Sequence, residues 1–215
     1  MKVAVSFADI RSQLDLFIKL FAFIVLLLIP SLNSAQETKG TDLEADCSIP
    51  IKLSKKRPHP EGPPTEVRIG LLFIDINASN DAEQTFTADV FRMLRWNDSR
   101  LSEKSLGKSL EDCEVNLGEV WHPDLLSVNG LKGEKLLEDI VDIDTNGDVR
   151  HRQRFRNAEF FSDLDFKDFP FDSQILYVRM MELEHEKDQV SFVIDREHFG
   201  MREELSEEGW DIELE

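Results

Sequence analysis

The 215 residues carry 43 acids against 25 bases, a formal charge of −18 at neutral pH. That balance excludes nucleic acid as a partner, because phosphate binding needs a basic face. It suits attraction of cations or titration by protons, and a hydrophobic content of 41% is enough for one domain with a buried core.

The chain opens in the pattern of an export signal. Lys2, Arg11 and Lys19 precede an apolar run over residues 20–29, and small residues follow at Ser31, Ser34 and Ala35. Residues 1–35 are expected to be a signal peptide cut after Ala35, leaving the protein at the periplasmic or extracellular face of the cell membrane. An uncleaved anchor is the alternative, although the apolar run is shorter than the roughly 20 residues that span a bilayer. In an exported protein Cys47 and Cys113 either pair or stay as thiols, and the sequence leaves both open. His59, His122, His151, His185 and His198 show no metal-ligand spacing.

Residues 36–66 are polar, with a basic knot over 52–57 and prolines at 58, 60, 63 and 64. They are expected to form an extended proline-rich arm without a core of its own. From Val67 the pattern changes. Residues 67–76 predict a largely buried strand, 77–81 a turn, and 84–96 a second strand with imperfect alternation. Residues 118–124 predict a strand end that runs into a proline-set loop. Residues 138–143 and 149–155 flank Asp144-Thr145-Asn146-Gly147-Asp148, and Asn-Gly between strand-like runs is a strong hairpin signal. The same turn mimics half of a calcium loop. However, Gln153 stands where the bidentate glutamate belongs, and strands rather than helices flank it.

Arg150, Arg152, Arg154 and Arg156 alternate, which on a strand places all four on one face. That face is either solvated or a salt-bridging subunit face. Further on, residues 160–177 hold Phe169-Pro170-Phe171-Asp172, in which proline bars a central strand and predicts a compact loop with an apolar stem and an acidic tip. Residues 174–180 are rich in strand formers. Glu182, Glu184 and Glu186 alternate, which places them on one face of any strand. No nucleophile–histidine pairing accompanies them, so the chain is not expected to be an enzyme.

The motifs now form a series: Trp96-Asn97-Asp98-Ser99-Arg100-Leu101, then Val120-Trp121-His122-Pro123-Asp124 with Asn129, then Asp163-Leu164 with Phe169-Pro170-Phe171-Asp172-Ser173-Gln174, then Gly209-Trp210-Asp211-Ile212. The series resembles the extracellular domain of pentameric ligand-gated ion channels, the Cys-loop receptor superfamily, and most closely its proton-gated bacterial members. The resemblance implies an all-β, immunoglobulin-like antiparallel β-sandwich over residues 67–215, C-terminally incomplete. It implies an extracellular ligand-sensing domain that works in a homo-pentamer, takes a small-molecule or proton ligand, needs no cofactor and couples to a membrane domain absent from this chain. The absent pore makes the chain a fragment or truncated product by this reading. A free-standing secreted binding protein of the same fold is the alternative.

Residue by residue, the resemblance places Ser162 and Leu176 at the two loop-cysteine positions, so the disulfide that names the superfamily is not expected. Val128 and Leu183 stand where animal receptors carry cage aromatics, and Phe91 alone keeps one. The implied ligand-binding residues are Phe91, Glu182, Leu183 and Glu184. Asp75 and Asp81 fall at acidic sensing positions, while Gln84 falls at a third with Glu83 beside it; the implied proton sensors are Asp75, Asp81 and Glu83. Asp81, Phe169, Pro170, Phe171 and Asp172 are implied to couple binding to the membrane domain.

Overall fold

The computed structural model describes residues 46–80, 82–165, 167, 173–206 and 212–213, without the side chains of Ala78 and Ser79. The expected export signal, Asp81, the tip residues Phe169, Pro170, Phe171 and Asp172, and Trp210 with Asp211 lie outside the described residues.

Strands β1 (Thr65–Asn80) and β2 (Thr85–Asn97) form a long antiparallel hairpin. The strand-forming pattern of β1 does not stop at residue 76: it continues through Asn77 to Asn80, where a turn had been expected, because Asn80 still pairs with Thr85. The other strands follow in chain order: β3 (Val115–Asn116), β4 (Leu125–Ser127), β5 (Gly130–Lys135), β6 (Ile140–Ile143), β7 (Asp148–Phe161), β8 (Met180–Glu182), β9 (Val190–Ile194) and β10 (Gly200–Met201). The main sheet runs β10-β1-β2-β7-β6-β3, with β5 also on β7 and β9 also on β1. β4 and β8 form a separate ribbon. Most pairs are antiparallel, as expected, but β9 and β10 lie parallel to β1. A short helix α1 (Glu103–Leu106) starts at Ser102, whose Oγ accepts from Ser105 N–H, and ends at Gly107 in the left-handed region.

The expected hairpin at 144–148 is present. Asp144 Oδ1 accepts from the N–H groups of Asn146 and Asp148, each at 2.8 Å, so its carboxylate closes the turn. Gly147 is irreplaceable here. Its φ is +83°, and a Cβ would meet Asp98 O at 2.3 Å. The expected strand end at residues 118–124 is absent: Leu117–Glu119 is a 3₁₀ turn, and the next strand, β4, begins only at Leu125. Val120 and Trp121 are adjacent and both buried, and they reach the Trp96 cluster from an irregular segment. The run 174–180 is likewise irregular as far as Arg179.

β1 serves two apolar clusters. Val67 joins Leu94, Trp96, Leu101, Trp121 and Val149. Leu71, Phe73 and Ile76 join Phe86, Val90, Ala158 and Phe160. Trp96 and Trp121 meet edge to face at 6.2 Å between centroids, a favourable aromatic geometry.

The described part of the expected proline-rich arm is tied onto the domain. Cys47 and Cys113 form a disulfide. Leu53 is buried in the Trp96 cluster. The buried Arg57 guanidinium donates to the carbonyls of Pro58, Pro60, Gly62 and Pro63. A guanidinium carries five N–H donors in a fixed fork, so one buried cation satisfies four carbonyls of this proline-rich segment. Arg100 completes the anchor. It grips the buried Asp98 carboxylate at 2.7 and 2.6 Å and reaches Leu53 O and Lys56 O.

On β7 the arginines follow the expected alternation only as far as a bulge. Between Val90 and Ala88 of β2 stands one residue, while β7 places Arg156 and Asn157 between Phe155 and Ala158. Asn157 has a φ of 48°, and its N–H donates to Asp89 Oδ1 at 2.9 Å. Arg152 and Arg156 pair inside the chain with Asp142 and Glu134, each at 2.7 Å.

Candidate functional site

Two assemblies of side chains stand at implied functional positions. The first joins the turn after β1 to the base of the loop over 162–177. Gln84 sits in the left-handed region, with φ 54°. Its carbonyl accepts from Ser162 N–H at 2.8 Å, and its side-chain Oε1 accepts from Leu164 N–H at 2.6 Å. Asn80 Oδ1 accepts from Ala82 and Glu83 N–H and so shapes the turn itself. Glu83 is exposed there.

Asn129, buried after β4, holds both stems of the same loop. Its Nδ2 donates to Phe161 O and Tyr177 O, each at 2.7 Å, and its Oδ1 accepts from Arg179 N–H at 2.8 Å. A side-chain amide thus replaces the ladder that a regular strand over 174–180 would have made. Ser162 donates from its hydroxyl to Ile175 O at 2.9 Å, and Asp165 and Gln174 exchange two hydrogen bonds. These hydrogen bonds close the base of the loop.

Asp75 of β1 lies apart from that turn. Desolvation pushes its carboxyl up, but hydrogen bonds from Ser206 N–H and Oγ–H, each at 2.6 Å, and the nearby Arg202 prevail. The carboxyl therefore sits below the ordinary carboxylate range.

The second assembly is at the end of β8. The strand stops at Glu182, so Glu182, Glu184 and Glu186 do not share a strand face as expected. The Glu182 side chain is only 8% exposed, while Glu184 and Glu186 are exposed in the turn that follows. Glu182 Oε1 lies 2.8 Å from His185 Nδ1 and accepts from the N–H groups of Asp124 and Glu184. Trp121 Nε1–H donates to His185 Nε2 at 3.4 Å. His185 and the hydrogen bond of Trp121 were not foreseen. The only hint in sequence was an acid and a histidine three residues apart. Leu183 is exposed beside Leu126, Val128 and Met181, which makes an apolar surface on the ribbon instead of an aromatic cage.

Phe91 stands elsewhere, half-buried on β2 in the main sheet between Leu72 and Arg154. Within one chain, therefore, Phe91 belongs to the main sheet and Glu182 to the separate ribbon. Among the described residues, no helix is long and apolar enough to cross a membrane.

The family model for the neurotransmitter-gated ion-channel ligand binding domain matches residues 53–214. The chain is also similar to a proton-gated ion channel of Gloeobacter violaceus, 29% identical over 152 residues, which is 70% of this chain and 42% of that protein. The chain thus spans less than half the length of that curated relative.

Proposed function

The chain belongs to the neurotransmitter-gated ion-channel ligand-binding domain family, and on that footing we propose that it is the extracellular sensing domain of a pentameric ligand-gated channel, passing the binding of protons or a small agonist to a membrane pore. One observation carries this reading: Gln84 and its hydrogen bond to Leu164 tie the first turn to the base of the loop whose sequence includes Phe169, Pro170, Phe171 and Asp172. By this bond a displacement of either segment would bear on the other. The resemblance assigns Asp81 to the same coupling role.

The agonist surface in this reading lies between subunits. Glu182, Leu183 and Glu184 of one copy face Phe91 of the next. Similarity to a proton-gated channel favours protons as the stimulus. Asp75 then serves as an ionised anchor for Ser206, because its carboxyl is held below the ordinary range. Gln84 cannot ionise, so the acids of the turn in this reading are Glu83 and Asp81.

The test is electrical. A channel that joins this domain to its four membrane helices is expressed, and current is recorded from about pH 8 down to about pH 4, across the imidazole and carboxyl ranges. Currents should rise as pH falls, and Asp81→Asn should shift the midpoint. Currents that ignore pH throughout would leave a small-molecule agonist as the stimulus.

A further inference from the structure

The carboxyl of Glu182 is unevenly satisfied. Its Oε1 takes three hydrogen bonds, while its Oε2 is buried and has no partner among the described residues. An unpaired buried carboxylate oxygen is costly unless something neutralises it. Trp121 is 4% exposed and the Glu182 side chain 8%, so the carboxyl is largely shielded from water.

The chemistry of His185 narrows what can neutralise that oxygen. A Trp indole can only donate, so His185 Nε2 must accept, and Nδ1 then carries the hydrogen and donates to Glu182. This describes a neutral imidazole between an indole and a carboxylate. We propose that Glu182 and His185 together form a proton-binding site, and that proton uptake at His185 Nε2 releases the indole of Trp121. The added proton comes from water and occupies the lone pair that Trp121 was using. Two N–H groups then face each other, and that hydrogen bond is lost. On the other side of the ring, the bond from Nδ1–H to Glu182 becomes charge-assisted and shortens.

The titratable and charged side chains on the elements packed here are His122 and Asp124 of the segment before β4, and Glu184, Glu186, Lys187 and Asp188 of the turn that carries His185. All are half or fully exposed. The consequence reaches the core, since Trp121 also packs edge to face on Trp96. Proton uptake at the ribbon therefore loosens a contact on which the Trp96 cluster depends. This inference rests on the family reading only for its link to a pore.

The test uses the full chain labelled with nitrogen-15. The His185 ring signals and the Trp121 indole N–H signal are followed by NMR from about pH 8 to about pH 4, the imidazole and carboxyl ranges. Both should move with a single midpoint. Glu182→Gln should lower that midpoint by about one pH unit or more, because a neighbouring carboxylate is lost. His185→Gln should abolish the movement of the indole signal. A Trp121 signal that stays fixed while His185 titrates overturns the proposal, as does a midpoint unchanged in Glu182→Gln. If either variant fails to fold, the wild-type midpoints alone decide. A channel whose currents ignore pH would sink the proton-gating reading and leave this titration intact; a fixed Trp121 signal in a pH-gated channel would do the reverse.

Discussion

Gln84 Oε1 accepts a hydrogen bond from Leu164 N–H at 2.6 Å, across 80 positions of sequence. Leu164 is 7% exposed, so without this acceptor its N–H would be left with little access to water. Gln84→Met should cost about 1–3 kcal/mol, the penalty for an unpaired buried group. Urea unfolding would measure it. A variant as stable as the parent would show that the two segments are not held together by this bond.

Trp96 is 3% exposed and packs on Trp121. Trp96→Ala should destabilise by roughly 3–5 kcal/mol, as for other large core truncations. An unchanged melting temperature would contradict its place in the cluster.

The disulfide between Cys47 and Cys113 closes a loop with a sequence separation of 66. Constraining the unfolded chain over that length is worth about 4 kcal/mol in the chain-entropy picture. Cys47→Ala with Cys113→Ala should therefore lower the urea midpoint substantially. Protease cleavage within residues 46–64 should also become faster. If neither changes, Arg57 and Arg100 suffice to hold the segment.

His151 on β7 should make stability fall in acid. Burial pushes its imidazole down to about 4, against the pull of Asp139 and with help from the nearby Arg92 and His122. The unfolded chain takes up this proton near the ordinary value of 6.5, so protonation favours unfolding. The contribution is whole above about 6.5 and is lost progressively as pH falls towards about 4. The urea midpoint of His151→Gln should show a weaker slope over that window than the parent. Equal slopes would assign the acid sensitivity to other groups.

Local signals carried much of the fold. Strand-forming runs placed β1, β2, β6 and β7 close to their observed positions, because side-chain alternation and β-branched content act over a few residues. Asn146-Gly147 marked its hairpin for the same reason: a turn needs only its own dihedrals and one carboxylate from Asp144. The motif at 96–101 could be seen, but not its task. Asp98 and Arg100 stand two positions apart, yet the carbonyls to which Arg100 donates are those of Leu53 and Lys56.

The remainder was decided in three dimensions. Composition left open what residues 46–64 touch; a buried guanidinium, an ion pair and a disulfide tie them down. The bulge at Arg156 and Asn157 depends on register with β2, which no single strand specifies. Glu182, Glu184 and Glu186 read as equivalent along the chain. Only the end of β8 makes them differ, by burying Glu182 against His185 while the other two stay in water. Trp121 reaches His185 across 64 positions and Asn129 reaches Tyr177 across 48. A polar side chain settles on whichever distant partner the packed apolar clusters bring within 3 Å or so, the range of a hydrogen bond. Sequence periodicity reports which face is apolar, and not which polar groups that burial brings together.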